Sequence, residues 1–273
     1  YGIVMTGVSS HFDFTPYIAD QIPDLHLLDT SQFFPRYTYR QLAADAGQLF
    51  DDASEGELID GYQRFDNITD EILERFQAAA GEDVTKDGIF YYVYGLLHSP
   101  DYRSRYAADL KKMLPRIQVP SDREMYEAFA EAGEQLAGLH LGYETVEPYP
   151  LTEDWVRPPH DEAAFRVTKM SHPKIGGRPD LSRVIYNSQL TLAGIPEDAY
   201  RYVLGSRSAI GWIIDRYRVR IDKASGITND PNTYGDDPRY IIDLLKRIVT
   251  VSLETMRIVE SLPGLPQVMV RVD

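Results

Sequence analysis

Pro100-Asp101 followed by Asp109-Leu110-Lys111 has the spacing of a metal nuclease, in which two acids hold a divalent ion and the lysine steadies the attacking water. Such nucleases carry their acids on adjacent strands. Here Pro100 suits the first turn of a helix, so Asp101, Asp109 and Lys111 read as a solvated helix face. His98, His140, His160 and His172 are far apart in sequence and lack the spacing that puts two zinc ligands on one helix face, so they read as capping or surface residues. A nucleotide site would need a glycine-rich loop between strand and helix, and neither GxxxxGK[ST] nor GxGxxG occurs. The string nearest to the Asn-Pro-Pro-aromatic tetrad that grips a flipped base is Asn229-Asp230-Pro231-Asn232, in the wrong order. No catalytic residue, metal site or bound cofactor is expected.

Polar recognition is the chemistry that the remaining residue types suit. Arginine can chelate guanine, and Asn or Gln adenine, when a two-stranded ribbon carries them into a major groove. Lys169, Lys174, Arg178, Arg183, Asn187 and Gln189 form one candidate set, on a basic hairpin around Gly176-Gly177. The loop after Tyr217 forms a second, with Arg218, Arg220, Lys223, Ser225, Thr228, Asn229 and Asn232 offering donors with little apolar side chain to bury. The bland alternative for that loop is a structural turn in which Asn229 and Asp230 bond their own backbone. Arg207, Arg216 and Arg239 read as helix-terminal charges or ion pairs, and Tyr91, Tyr92 and Tyr94 as packing groups rather than base-stacking ones.

The elements that must position these residues follow from periodicity. Gly2-Ile3-Val4-Met5 and Leu25-His26-Leu27-Leu28 read as short strands, with Pro16 and Pro23 excluding a continuous helix, and 45–57 as an acidic surface excursion. A helix is expected over 70–80, and another over 87–98 behind Thr85, where Ile89, Phe90, Val93, Tyr94 and Leu97 share a face. Ser99-Pro100 should break it and start a partner that completes a helical hairpin, and Ser121 should cap a long helix to about Leu141. Prolines at 148, 150, 158 and 159 make 143–162 read as a linker. Beyond it, 165–170 and 183–192 read as the strands of the basic hairpin, 206–217 as a helix, and the chain after Pro238 as a long helix ended by Pro263-Gly264. The expected fold is α+β: a β-rich N-terminal segment and helical layer over 1–147, then a mixed half over 148–273 with basic hairpin, loop and long C-terminal helix.

The formal net charge of -14 opposes a nucleic-acid role, because Lys and Arg supply most non-specific affinity for phosphate. The charge is unevenly spread. Residues 1–100 hold 5 bases against 17 acids, a balance of -12, whereas 166–223 hold 11 against 5, a balance of +6. One face for a polyanion and another for solvent or a protein partner is the pattern expected from such asymmetry, although a merely solvated surface would also show it. The absence of cysteine removes disulfides and thiolate zinc sites and suits a reducing cytoplasm. No apolar run of membrane-spanning length and no signal peptide is present, and the chain opens on Tyr1 at once in a strand, as an excised fragment would.

Several strings, in this order, carry a resemblance: Ile22-Pro23-Asp24-Leu25-His26, the run 30–39 around Phe33-Phe34-Pro35-Arg36, the run 90–102, Leu114-Pro115-Arg116-Ile117, Leu139-His140-Leu141-Gly142-Tyr143-Glu144, Val167-Thr168-Lys169-Met170, Gly194-Ile195-Pro196-Glu197-Asp198-Ala199-Tyr200, and the run 215–240. Together they resemble the C-terminal target-recognition (specificity) domain of Type ISP restriction–modification enzymes, over nearly the whole chain. The resemblance implies that a nuclease, a helicase-like ATP-driven translocase, a coupler and an adenine-N6 methyltransferase precede this region in one polypeptide. It implies a non-catalytic fragment that reads double-stranded DNA while S-adenosylmethionine, ATP and Mg are used elsewhere in that polypeptide. The basic half would meet DNA and the acidic half would pack on the methyltransferase. A protein–protein coupling module docking the methyltransferase and translocase is the alternative.

Overall fold

The computed structural model describes all residues except 9, 25, 28, 42–56 and 267–273. Two compact units emerge: Tyr1–Leu141 together with Ile258–Asp273, and Gly142–Arg257. The boundary expected from the sequence puts all of 148–273 in the second half. Ile258, Val259 and Leu265 are buried in the first unit's core with Phe14, Leu97 and Tyr102, so the chain's last described stretch groups there.

In the first unit, β1 (Gly2–Thr6) is the centre of an antiparallel sheet between β2 (Pro16–Ala19) and β3 (Ser31–Pro35). A strand flanked on both edges and buried throughout explains the unbroken apolar run of β1. The strand expected at 25–28 does not form: His26 and Leu27 lie in a turn, held by Asp24 Oδ1 accepting from the His26 N–H at 2.7 Å, and 25 and 28 lie outside the described residues. A second sheet, ordered β4-β6-β5, joins β4 (Tyr37–Gln41), β5 (Glu57–Ile59) and β6 (Tyr62–Asp66). Of the expected acidic excursion only Glu57, in β5, is described.

Four helices follow: α1 (Asp70–Ala80), α2 (Lys86–His98), α3 (Pro100–Arg105) and α4 (Ala107–Leu110), the first three capped by the hydroxyls of Thr69, Thr85 and Ser99. α5 (Arg123–Leu141) is capped by Asp122, which accepts from the Met125 N–H at 2.9 Å, rather than by Ser121. The close partner of α2 is α5 and not the helix that follows it. A Cβ added to Gly133 would lie 1.8 Å from the Tyr91 carbonyl oxygen, and one on Gly95 2.1 Å from that of Phe129, so glycine on both sides lets the two backbones touch. Tyr92 and Tyr94 are buried in this layer, as packing groups.

The second unit contains β7 (Thr152–Trp155), β8 (Lys174–Ile175), β9 (Arg178–Pro179), β10 (Arg183–Ile185) and β11 (Leu190–Ala193), followed by β12 (Val203–Leu204), β13 (Arg207–Ser208), α6 (Ala209–Arg216), β14 (Arg220–Ile221), β15 (Thr228–Asn229) and most of α7 (Tyr240–Ser261). Its sheet is ordered β10-β11-β7, so the proline-rich stretch read as a linker contributes a strand. Glu153 of β7 pairs with Arg239 at 2.6 Å and with Lys246 at 2.5 Å on α7, confirming the ion-pair reading of Arg239. The single strand expected over 183–192 is two. Asn187 Oδ1 accepts from the N–H groups of Gln189 (2.8 Å) and Leu190 (2.9 Å), which turns the chain between β10 and β11. The partner strand expected over 165–170 is a short 3₁₀ turn, Glu162–Phe165, and irregular chain after it. Among the described residues, no helix is long and apolar enough to cross a membrane.

Candidate nucleic-acid interface

The basic hairpin is β8–β9 alone, turning through Gly176 (φ 57°) and Gly177 (φ 82°), a left-handed pair that two-residue hairpin loops require. Lys174 and Arg178 are exposed on it, beside Ile175 at 70% exposure. Of the other residues expected on this ribbon, Lys169 and Gln189 are exposed. Arg183 is paired with Asp154. Asn187 spends both amide donors on the carbonyls of Ala164 (2.9 Å) and Arg166 (3.0 Å), and its oxygen on the turn already described. Nothing of its amide is left to read a base.

The loop after Tyr217 forms a second hairpin, β14–β15, whose tip is locked by Asp222 accepting from the backbone of Ala224 (3.0 Å) and Ser225 (2.7 Å) and from the Ser225 hydroxyl (2.8 Å). Lys223, Thr228 and Asn229 are exposed there, with Asn229 Oδ1 accepting from the Tyr234 hydroxyl. Asn232 is structural. Its amide bonds both the N–H and the carbonyl of Val167. Asp230 caps the following turn, as the bland reading of this loop had it, whereas Asn229 bonds the Tyr234 side chain rather than its own backbone. One residue further along the same segment, the Thr168 carbonyl accepts from the Val219 N–H at 3.0 Å. The backbone just before Lys169 is thereby joined to the backbone between Arg218 and Arg220.

The strongest concentration of charge lies at the end of α6. Asp215 faces Arg207 at 3.0 Å, Arg218 at 3.4 Å, Arg220 at 3.5 Å and Arg216 at 3.9 Å. Burial works to raise the Asp215 pKa, but the guanidinium groups of Arg207, Arg218 and Arg220 outweigh it and hold the carboxyl below its ordinary value. Trp212 gives the cluster a plate: Arg216 sits 4.9 Å and Arg207 5.4 Å from its ring centre, while its indole N–H donates to the Leu204 carbonyl at 2.7 Å. The ion-pair reading of Arg207 and Arg216 holds, yet one carboxylate serves four arginines and leaves a formal excess of three positive charges. Sequence reasoning missed this gathering. Arg216, Arg218 and Arg220 alternate in sequence, but Arg216 closes α6 and Arg207 comes from β13, so no single periodicity gathers them.

No metal nuclease assembles from Asp101, Asp109 and Lys111. The Asp101 carboxylate is taken by Arg105 (3.0 Å) and the Leu265 N–H (2.7 Å), and Lys111 faces Asp13 at 3.5 Å. No group of three or more His, Cys, Asp or Glu able to hold a metal occurs among the described residues. His98 is not a surface residue: it is buried, with its ring 5.6 Å from that of His140. His172 bonds the Arg183 carbonyl at 2.8 Å.

Residues 1–244 match the family described as the Type ISP C-terminal specificity domain. Three solved structures are similar. A nuclease-deletion mutant of the Type ISP restriction–modification enzyme LlaGI, in complex with a DNA substrate mimic, is 37% identical over 96% of this chain with a TM-score of 0.74. The ATP-dependent Type ISP enzyme LlaBIII, bound to DNA, is 36% identical over 97% with a TM-score of 0.80. A DrdV–DNA complex is 33% identical over 97% with a TM-score of 0.78. The chain spans only 21%, 16% and 25% of those three chains. No curated protein sequence matches.

Proposed function

Because this chain belongs to the Type ISP C-terminal specificity domain family, we propose that it selects the DNA sequence on which a longer restriction–modification enzyme acts, and that the arginine-rich end of its second unit does the selecting. The observation that carries this reading is the convergence of Arg207, Arg216, Arg218 and Arg220 on the single carboxylate Asp215 in a protein whose overall charge is strongly negative. Phosphate contacts set register and base contacts set sequence. Lys169 suits the first task, and the half-exposed arginines, held in fixed geometry, suit both. The two hairpins, with Lys174 and Arg178 on one and Lys223, Thr228 and Asn229 on the other, suit the second, and Gln189 is exposed on the β10–β11 turn. Asn187, Asn232 and Arg183 are set aside as structural.

In this reading the fragment itself carries no catalytic group and no cofactor. Adenine-N6 methylation with S-adenosylmethionine and ATP- and Mg-dependent cleavage belong to other domains of the polypeptide. The first unit fits a docking role toward them: Ile68, Val93 and Ile117 line two adjoining apolar clefts, with Phe34 and Leu97 in one and Ile72 in the other.

The test is selection by the full-length enzyme from a randomised duplex pool. Enrichment of one short sequence is the expected result. A folded enzyme that binds S-adenosylmethionine but enriches nothing would instead favour the coupling-module reading.

A further inference from the structure

Asp215 occupies a place that ordinary helix physics disfavours. It lies in the last turn of α6, where the helix dipole is negative and a carboxylate is destabilising. It is also largely withdrawn from water, at 21% side-chain exposure, whereas the arginines around it remain 33% to 60% exposed. The carboxylate is therefore the inner member of the cluster and the guanidinium groups the outer ones. Arg220 is fixed a second time, donating from Nη2 to the Asp215 carbonyl at 3.1 Å, and Arg207 and Arg216 are fixed a second time by the Trp212 ring.

Four arginines without a central anion would repel one another and splay into solvent, each free to meet any phosphate. A planar guanidinium discriminates only when its fork is held in place. Resting on the DNA-selecting reading above, we propose that Asp215 is a positioning residue that determines specificity: by holding the four arginines it lowers attraction to arbitrary DNA and raises discrimination for the target. A carboxylate that opposes the helix dipole and cancels one cation of a polyanion-binding surface reduces gross affinity, and fixed arginine geometry is what it supplies in return.

The experiment uses the full-length enzyme with two duplexes, the sequence enriched from a randomised pool and a scrambled duplex of equal length, across a salt series. Asp215→Asn is expected to bind the scrambled duplex more tightly, to steepen the salt slope by roughly 0.9 for one more free cation, and to lower the target-to-scrambled preference about tenfold. Asp215→Glu keeps the charge but moves the carboxylate outward. It is expected to leave the salt slope unchanged and to lose part of the preference, and it carries the test if the Asn variant does not fold. Wild-type preference in either folded variant overturns the proposal, as does a loss shared equally by both duplexes. Absence of any preference in the wild-type enzyme would refute the underlying reading instead, and so separates the two failures.

Discussion

The side-chain amide of Asn232 donates to the Val167 carbonyl at 2.8 Å and accepts from the Val167 N–H at 2.8 Å, standing in for a strand across 65 positions of sequence. It thereby holds the chain one residue before the Thr168 carbonyl, which accepts from the Val219 N–H. Removing it leaves a half-buried peptide group unpaired, which costs about 1–3 kcal/mol. Asn232→Ala is expected to lower the chemical denaturation midpoint accordingly. Gln189→Ala, at an exposed position with no such bonds, is expected to stay within about 0.5 kcal/mol of wild type.

The α2–α5 contact predicts a contrast within one helix. Gly133→Ala drives a methyl group into the Tyr91 backbone and is expected to destabilise by about 3 kcal/mol or more. A Cβ on Gly138, in the same α5, meets nothing within 4 Å, so Gly138→Ala is expected to stabilise by roughly 0.5–1 kcal/mol. Denaturant titration of both variants checks the sign difference.

Glu153 carries a pH dependence. Burial pushes its pKa up, but hydrogen bonds from Arg239, Lys246 and Trp155 prevail and bring it from 4.5 to about 2. A carboxylate with a depressed folded pKa contributes fully above its unfolded value and loses that contribution as pH falls through the folded one. The second unit should therefore lose this stabilisation between about pH 4.5 and 2. Glu153→Ala, which strands Lys246 at 12% exposure, is expected to cost about 3 kcal/mol at neutral pH and to flatten the acid limb.

The first unit has a window at higher pH. Burial lowers the His98 pKa from 6.5 to about 4, against a bond from its Nδ1 to the Tyr94 carbonyl, and the nearby Arg103 charge pushes the same way as burial. Between those values the unfolded imidazole takes up a proton that the folded one refuses, so stability falls as pH drops from 6.5 toward 4. His140, half-buried beside it, moves in the same direction. Replacing His98 by Gln is expected to make the denaturation midpoint less dependent on pH across that window.

The helices were the legible part of the fold, because Thr85 and Ser99 announce their caps and the apolar period of α2 is unbroken. The 183–192 stretch was misread as one strand because a half-apolar run is indistinguishable from two short strands until Asn187 is seen bonding its neighbours' backbone. Asparagines were also the weak point of the site: the same amide that could read adenine can staple a loop, and only the folded chain shows that Asn187 and Asn232 do the latter. The placing of Lys174 and Arg178 on a hairpin was recoverable because Gly176-Gly177 marks its turn. The arginine cluster was not, since Arg207 and Trp212 reach Asp215 and Arg216 from a separate strand and an earlier turn of α6.

In the proposed function the second unit of this chain chooses the DNA sequence through its arginine-rich end and basic hairpin. The measurement is enrichment from a randomised duplex pool by the full-length enzyme at low and moderate salt, repeated with Arg178→Glu and Arg220→Glu. One short sequence is expected to be enriched by the wild-type enzyme and lost or changed in both variants, with a shallower salt dependence for each phosphate contact removed. Enrichment of an identical sequence by wild type and both folded variants would contradict it.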